Sequence, residues 1–352
     1  MNKPYKKNKL FLYFFHKKDF YKNKCKLSKK TYDNLIKKSD TKKLKPCSGF
    51  LRDYQLKILE FSKQWFDFFE KENIEYFIIN GALLGAYRNG GFIPWDDDID
   101  IGMLRPHYTK FQDYLKQNAI KVDTDNIPYE TSAKYKILKK YIKKNPNKLI
   151  YIQSPIFLQV FYGTNIKNAM TLEVYPYDYF SDDYKIDDFR NTLSKIKEKL
   201  NKKTTFCEII NFIEKEKMQN KNIVKNSNTI YSAFDNADST LFPVNFWLKK
   251  DDIYPLKKIK FENIEVYSAN NIKKLLLANY GQNYMEFPNT ISINEHVKYR
   301  TSKSGFSFSF LNSHKKLFLD KFLYKHNINK HTAYKKHYKK TQALIKFMQS
   351  II

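Results

Sequence analysis

The segment at residues 81–101 constrains the fold of this chain most strongly, and its sequence is GALLGAYRNGGFIPWDDDIDI. It holds four of the nine glycines, one of the three tryptophans, and four aspartates within five positions. An aspartate-rich turn can simply cap a helix or solvate a loop. Adjacent carboxylates in an apolar run, however, are costly to remove from water unless a cation or a positive group compensates them. The whole segment therefore favours a binding site.

The first half of this region predicts a strand, a turn and a short helix. Residues 75–79, EYFII, combine the aromatic and β-branched side chains of a buried strand. Gly81 allows a sharp turn, and residues 82–88 then predict a helix that ends at residues 89–91, Asn-Gly-Gly. Free N–H groups at the start of such a helix suit a phosphate. The residues predicted to contact it are Asn80, Gly81, Ala82 and Arg88.

The second half predicts a strand over residues 93–103 that carries a metal site. On a strand, Asp98 and Asp100 project from the same face, while Ile99 and Ile101 point to the other face. Two neighbouring carboxylates without a basic residue between them suit a hard cation such as Mg2+ or Mn2+. Asp96 would share that face, and we include it among the predicted substrate contacts.

The order of these elements resembles the nucleotidyltransferase fold: a strand, a glycine turn, a short helix, and a strand with alternating aspartates. The fuller pattern, Gly-x-Leu-Leu-Gly-Ala-x-Arg followed by Gly-Phe-Ile-Pro-Trp-Asp-Asp-Asp-Ile-Asp-Ile, resembles the LicD family, which includes the fukutin-related proteins. Members usually carry Gly-Gly-Thr or Gly-Gly-Ser where this chain has Asn80-Gly81-Ala82. A hydroxyl contribution from the third position is therefore absent here.

A third acidic residue lies in residues 170–178, MTLEVYPYD. Leu172 and Val174 flank Glu173 in a predicted short strand that stops at Pro176. The stretch resembles the LicD pattern Ile-Asp-Ile-Phe-Pro-Leu-Asp, with Glu173 on its first aspartate and Asp178 on its last. By this resemblance, Glu173 completes the cation site or takes the proton of the acceptor hydroxyl. Asp178 would equally suit a turn cap.

The resemblance to the LicD family returns late in the chain, at residues 251–256, 261–263 and 275–285. Asn263 stands where the family usually has glycine, which predicts a differently shaped hairpin. Gly281 predicts the end of a helix, and Tyr280 and Tyr284 are interpreted as packing residues without a catalytic role.

The predicted fold class is α/β (α+β), with a nucleotidyltransferase-like mixed β-sheet flanked by helices. We predict that residues 1–48 form a basic leader, docked on the domain or partly disordered, and that residues 49–300 form the catalytic domain with a helical insertion at 182–250. Residues 301–352 form a basic C-terminal helical extension. Within the domain we predict helices at 51–71 and 106–118, a hairpin at 149–161, surface helices at 186–203 and 208–218, and a loop at 226–238.

The net charge of +28 is compatible with an anionic partner, but Lys, Asn, Ile, Tyr and Phe are abundant together, as an AT-rich coding bias would produce. No nucleic-acid-binding signature is present, so no nucleic-acid partner is expected. Three widely spaced cysteines argue against a disulfide framework. These features favour a cytoplasmic protein, either free or in peripheral contact with the anionic inner face of the membrane.

The resemblance implies a metal-dependent transferase that moves a phospho-alcohol from a CDP-linked donor to a hydroxyl of a cell-surface glycan or glycolipid precursor. CDP-choline is the first candidate donor, with CDP-ribitol and CDP-glycerol as alternatives. Mg2+ or Mn2+ would bind Asp98, Asp100 and Glu173. Two further alternatives are nucleotidyl transfer, in which the nucleotide stays on the product, and a noncatalytic scaffold that binds a nucleotide or a glycan.

Overall fold

The computed structural model describes residues 4–154, 157–200, 205–236, 247–288, 290–293, 306–309 and 327–352. Its helices within these ranges are α1 (Pro4–Lys37), α2 (Phe50–Lys71), α3 (Asn80–Asn89), α4 (Arg105–Asn118), α5 (Thr131–Lys144), α6 (Ile186–Leu200), α7 (Phe206–Gln219), α8 (Lys250–Ile253), α9 (Ile272–Tyr280) and α10 (Asn327–Ile351). Its strands are β1 (Phe77–Ile78), β2 (Asp100–Leu104), β3 (Ile120–Lys121), β4 (Ile150–Gln153), β5 (Leu158–Tyr162), β6 (Met170–Phe180), β7 (Ile223–Val224), β8 (Thr229–Ser232), β9 (Trp247–Lys249), β10 (Lys257–Phe261), β11 (Ile264–Ser268), β12 (Thr290–Ile293) and β13 (Phe306–Ser309).

The main sheet is mixed, with the order β1-β2-β6-β5-β4-β3. β2 runs parallel to β6 and β3 runs parallel to β4, whereas the other neighbours on this path are antiparallel. β7 and β8 pair with the far end of β6, and β9 pairs with β8. The prediction of a mixed sheet flanked by helices is therefore confirmed.

The two faces of the sheet pack against different helices. Trp65 of α2 contacts Phe111 of α4, with ring centroids 5.2 Å apart, over the face that buries Ile101 and Val174. On β4 and β5 the alternate side chains point the other way, where Ile150, Ile152 and Phe161 pack against Tyr135, Leu138 and Ile142 of α5. Strand alternation thus gives the sheet one core under α2 and a second core under α5.

The glycine turn is close to its predicted form. α3 begins at Asn80, two residues earlier than predicted, and it ends at Gly90 in a left-handed conformation with φ 72°. Gly85 lies where a Cβ atom would be 2.3 Å from the carbonyl oxygen of Gly91. The helix is therefore pressed closely against the loop that leads to the aspartates.

Two strand predictions and one loop prediction were wrong in extent. The strand predicted at residues 93–103 begins only at Asp100, because residues 91–99 form a turn and an irregular segment. β6 continues through Pro176, which pairs in register with Met103 and accepts a hydrogen bond from Ala233 N at 3.1 Å. The loop predicted at 226–238 contains β8, so the insertion at 182–250 contributes strands to the main sheet as well as helices.

The hairpin of β10 and β11 holds the loop that follows α3 in place. β10 and β11 form a hairpin, and Glu262 at its tip has φ 57°. Its carboxylate accepts hydrogen bonds from Arg52 Nη1 and Nη2, at 2.9 and 2.7 Å, and from Phe92 N at 3.1 Å. Glu262 therefore joins α2 to the loop that follows α3.

The two terminal regions pack against each other. α1 packs against α10, and Gln342 Nε2 donates to Ser28 Oγ at 2.7 Å. Leu344 and Met348 of α10 are fully buried in the main core. The leader is thus helical, which its lysine-rich sequence did not indicate.

No helix in the described ranges has the length and apolar character needed to cross a membrane. The predicted boundaries at residues 48, 300 and 301 stay predictions, and residues 310–326 lie outside the described ranges.

Candidate functional site

Three carboxylates meet at one edge of the main sheet. Asp98, Asp100 and Glu173 each offer an oxygen, and these oxygens lie within 4.8 Å of one another. Asp100 and Glu173 are buried, at 7% and 2% exposure, whereas Asp98 is half-buried. Carboxylate oxygens at this spacing can share one hard cation, with further positions left for water or phosphate.

The sheet register brings the three acids together. β2 and β6 pair in parallel with Asp100 opposite Glu173, so their side chains project from the same face. Asp98 lies in the irregular segment before β2 and reaches the same place without belonging to a strand. Ile99 and Ile101, which were predicted to point to the opposite strand face, are both buried in the cluster under α2, although Ile99 precedes the strand.

Asn80 contacts the acidic cluster through its side-chain amide. Its Nδ2 donates to Asp100 Oδ2 at 3.0 Å, and its Oδ1 accepts from Asn279 Nδ2 at 3.2 Å. Asn80 also has φ 49°, a left-handed conformation that asparagine tolerates better than most residues. Asn80 therefore orients Asp100, and α9 supports it through Asn279.

The start of α3 is occupied in part by Asp96. A Cβ atom on Gly81 would lie 2.2 Å from Asp96 Oδ2, so the absence of a side chain at Gly81 makes room for this carboxylate. Ala82 is buried, with 3% of its surface exposed. Asp96 does not belong to the group of three oxygens. Its predicted role in substrate binding, like those of Asn80, Gly81 and Ala82, stays a prediction.

Arg88 is a buried cation that forms no salt bridge with an acid within the described ranges, although the charge of Asp96 acts on it. Its Nε donates to Asn89 Oδ1 at 3.1 Å, its Nη1 donates to Tyr284 O at 3.4 Å, and its guanidinium lies 5.8 Å from the ring centroid of Trp95. Among the described residues, Nη2 has no hydrogen-bond acceptor. Burial lowers the pKa of Arg88 to about 10, so it still carries its charge at neutral pH. Such a group suits an incoming anion.

Glu173 is held by hydrogen-bond donors on both oxygens. Gln159 Nε2 donates to Oε1 at 2.5 Å, and Tyr175 OH lies 3.5 Å from Oε2. Burial, followed by the charges of Asp100, Glu173 and Asp98, raises the pKa of Tyr175 well above its ordinary value, so its hydroxyl stays protonated. Gln159 was not predicted, although a polar residue within the apolar stretch Leu158-Gln159-Val160 was a signal for it.

Tyr280 lies closer to the acids than its interpretation as a packing residue implied. The residue is 38% exposed, yet burial of its hydroxyl, followed by the charges of Asp96, Asp100 and Asp98, raises its pKa well above the ordinary value. Its hydroxyl therefore lies near these carboxylates. Its neighbour Asn279 was also missed, because the end of a helix gives no sign of what it packs against.

Asp178 belongs to a structural ion-pair cluster. Its two oxygens accept hydrogen bonds from Arg105 at 2.6 and 2.8 Å, and Arg105 also donates to Asp235 at 2.6 Å. Lys217 of α7 lies 3.3 Å from Asp235. The cluster links β6, α4 and α7, and Asp178 therefore pairs with an arginine where a turn cap was considered.

Comparison with known proteins yields one family match. Residues 73–188 match the family model described as LicD/FKTN/FKRP, nucleotidyltransferase domain. This range contains the three acids, Asn80 and Arg88, whereas Asn279 and Tyr280 lie beyond it.

Individual relatives match between 62 and 135 residues of the chain. This chain is 44% identical over 63 residues to the lipopolysaccharide cholinephosphotransferase LicD of Haemophilus influenzae. The matched residues make up 18% of this chain and 24% of that protein. An uncharacterized protein of Rickettsia prowazekii is 33% identical over 135 residues, which is 36% of this chain and 43% of that protein. An uncharacterized protein of Rickettsia typhi is 42% identical over 62 residues, which is 18% of this chain and 20% of that protein. The chain thus spans less than half the length of each of these relatives.

Proposed function

Because residues 73–188 form a nucleotidyltransferase domain of the LicD family, we propose that the chain is a metal-dependent transferase acting on a glycan. In the proposed reaction, a phospho-alcohol moves from a CDP-linked donor to a hydroxyl of a cell-surface glycan or glycolipid precursor. Phosphocholine from CDP-choline is the first candidate, because the relative from Haemophilus influenzae is named as a cholinephosphotransferase. CDP-ribitol and CDP-glycerol remain alternative donors.

The observation that carries the proposal is the meeting of Asp98, Asp100 and Glu173 within 4.8 Å inside the matched domain. Three oxygen ligands are the donor set that Mg2+ or Mn2+ prefers, so the residues fit the implied ion. When bound, the ion would neutralise charge on the donor diphosphate. A noncatalytic scaffold would be favoured if Glu173 faced away from the two aspartates, but its side chain faces them.

In this reaction the acceptor oxygen bonds to the phosphorus that carries the alcohol, and the bond from that phosphorus to the oxygen of CMP breaks. Arg88 would bind a phosphate oxygen of the donor, because its Nη2 has no other acceptor among the described residues. The N–H groups in the first turn of α3 would add to this contact. CMP leaves, and the proton of the acceptor hydroxyl passes to a base.

We assign Glu173 to the metal site and not to the role of base. Its carboxylate is 2% exposed and already accepts a hydrogen bond from Gln159. A base must come within hydrogen-bond reach of the acceptor hydroxyl, which a carboxylate held this deeply does less readily than a half-exposed one. Asp98, which is half-buried, is better placed to face the substrate.

We propose that the chain works at the cytoplasmic face of an anionic membrane, in peripheral contact with it. α1 contains eleven lysines and two aspartates, and α10 contains six lysines and no acidic residue. These two packed helices therefore carry more than half of the net charge of +28. A cationic surface of this kind is attracted to anionic lipids. It would hold the enzyme near a lipid-linked acceptor.

The decisive experiment is CMP release from a panel of CDP-alcohols, with Mg2+ or Mn2+ and crude surface glycolipid. The wild type is compared with the Asp98→Asn/Asp100→Asn double variant and with Asp113→Asn, an exposed acid of α4 in the same domain. We expect release from one donor, loss of release in the double variant, and wild-type release in the control. Transfer of labelled CMP to the acceptor would instead support nucleotidyl transfer. No release from any donor would favour the scaffold.

A further inference from the structure

A chain of buried hydrogen bonds leads from α5 to the acidic site. Lys134 Nζ donates to Gln159 Oε1 at 3.0 Å, and Gln159 Nε2 donates to Glu173 Oε1 at 2.5 Å. The three residues are 9%, 0% and 2% exposed, respectively. They lie on α5, β5 and β6, and Gln159 pairs in register with Glu173 across the two strands. Nothing in the proposed chemistry so far uses Lys134.

The chemistry of these groups fixes the orientation of the middle residue. A lysine ammonium can only donate hydrogen bonds, so the amide oxygen of Gln159 must face it. The amide nitrogen then points to Glu173, whose carboxylate can only accept when it is ionised. If the amide turned over, its oxygen would meet a carboxylate oxygen and its nitrogen would meet the ammonium. Lys134 therefore selects the amide orientation that suits Glu173.

The surroundings of Lys134 do not explain its presence on packing grounds. The ammonium lies 5.4 Å from the ring centroids of both Tyr135 and Phe157. Among the described residues its hydrogen bond goes to the neutral amide of Gln159, and burial lowers its pKa while the charge of Glu173 opposes that effect. An apolar side chain would fill this space at lower cost, because a buried cation loses its hydration.

Charge balance gives the cation a reason to be there. When no ion is bound, three carboxylates within 4.8 Å of one another repel each other, and an ammonium held near Glu173 offsets part of that repulsion. Aromatic faces on two sides also partly replace the lost water through cation–π attraction. The site therefore gains from a fixed positive charge that stays out of contact with the ligands themselves.

We propose that Lys134 is a positioning residue for the metal site, acting through Gln159 to hold the carboxylate of Glu173 toward Asp98 and Asp100. This inference rests on the proposed metal site, and it adds a supporting pair that neither the family pattern nor the acidic motif indicated. Partners of this kind fix ligand orientation, and their removal typically costs about 10-fold to 100-fold in metal affinity.

The test measures Mn2+ binding directly, by titration in the absence of donor, so that activity is not required. Lys134→Met keeps the apolar stem between the aromatic rings but removes the ammonium, and Gln159→Leu removes the amide. Lys139→Met is the matched control, because this exposed lysine lies on the same helix. We expect the dissociation constant to rise about 10-fold or more in each of the first two variants and to stay unchanged in the control.

The double variant separates a relay from two independent effects. If Lys134 acts through Gln159, the double variant binds Mn2+ no more weakly than Gln159→Leu alone. Additive losses, or wild-type affinity in Lys134→Met, would overturn the proposal. If Lys134→Met fails to fold, unchanged Mn2+ affinity in Gln159→Leu overturns it equally. Absence of Mn2+ binding in the wild type would overturn the metal site itself, and the proposed function with it.

Discussion

Asp100 and Glu173 face each other across the parallel pair of β2 and β6, although they are 73 positions apart in the chain. This register puts two buried carboxylates on one sheet face, and Asp98 joins them from the preceding segment. Two acids held this close repel each other unless a cation lies between them. The pairing is therefore the feature from which the first prediction follows.

Glu173→Gln should abolish the third ligand while keeping the shape of the side chain. Since a lost ligand costs more than a lost supporting contact, we expect Mn2+ affinity and CMP release to fall by at least about 100-fold. Glu173→Asp keeps the charge on a shorter arm and should retain an intermediate level of both. Titration with Mn2+ and the CMP assay measure these effects. Glu265→Gln, an exposed acid on β11, serves as the control. Full activity in Glu173→Gln would remove this residue from the site.

The acidic site could be predicted from sequence only in part. The spacing of Asp98 and Asp100 identified the cluster, even though Asp98 does not lie on a strand. The resemblance added Glu173, but its partner Gln159 comes from another strand and Lys134 comes from a helix. These contacts depend on how β5 and α5 lie against β6. Local periodicity carries no information on such distant packing.

For the fold as well, elements set by local sequence patterns were predicted, and elements that depend on distant packing were not. Helices α2 and α4 were predicted because their apolar residues recur with helical spacing, and each buries that face. α1 was not predicted, because its lysines surround the helix and its stability comes from packing on α10. β6 runs through Pro176 because the proline nitrogen has no donor to contribute, while its carbonyl still accepts from Ala233.

Gly85→Ala should destabilise the protein even though alanine is the better helix former. Helix propensity alone favours alanine by about 1 kcal/mol. The new Cβ atom, however, would lie 2.3 Å from the carbonyl oxygen of Gly91 and 3.0 Å from the nitrogen of Ile93. Both are backbone atoms, so we expect a net loss of about 1–3 kcal/mol in the free energy of unfolding. Urea unfolding measures it.

The control for this prediction is Thr109→Ala, at an exposed position of α4. It changes helix propensity in the same direction without a close contact, and it should leave stability unchanged or slightly increased. A gain in stability for Gly85→Ala similar to that of the control would contradict the close approach of α3 to the loop after it.

The buried pair of Asp235 and Arg105 should make stability depend on pH in the acid range. Burial alone would raise the pKa of Asp235, but the charges of Arg105 and Lys217 outweigh it and lower the pKa to about 2. An unfolded aspartate titrates near about 4, so folding favours its ionised form. The stabilisation, on the order of 2 kcal/mol, is fully present above about pH 4 and is lost as pH falls through about 2.

Unfolding by urea between pH 5 and pH 2.5 measures this dependence. Asp235→Asn removes the titrating group, so its stability should fall less steeply over that range than that of the wild type. Asp113→Asn, which removes an exposed acid, should follow the wild-type slope. Equal slopes for the wild type and Asp235→Asn would show that another carboxyl governs acid unfolding.

Arg88→Met should weaken donor binding without weakening the fold. Arg88 is 5% exposed and forms no salt bridge within the described ranges, so the charge of Asp96 offsets only part of the cost of burying it. Methionine fills similar space without that cost, and replacing a buried charge by an apolar group is often neutral or stabilising. We therefore expect an unchanged or higher melting temperature without donor.

The same substitution removes the group proposed to bind a donor phosphate. A hydrogen bond to a charged group is worth about 1.5–3 kcal/mol, so the KM for the CDP-alcohol should rise about 10-fold to 100-fold. Mn2+ affinity should stay unchanged, because Arg88 is not among the three acids. Arg190→Met, at a half-buried position of α6 where Arg190 pairs with the exposed Asp187, is the control for a lost arginine.

These two measurements distinguish a binding role from a structural one. An arginine that served the fold would lower the melting temperature when replaced and leave KM unchanged. Replacing an arginine that binds an anion should raise KM without lowering the melting temperature, because burying the charge is costly when no ligand is bound. A raised KM together with an undiminished melting temperature would therefore identify Arg88 as the phosphate contact, and a lowered melting temperature with unchanged KM would return it to the structural residues.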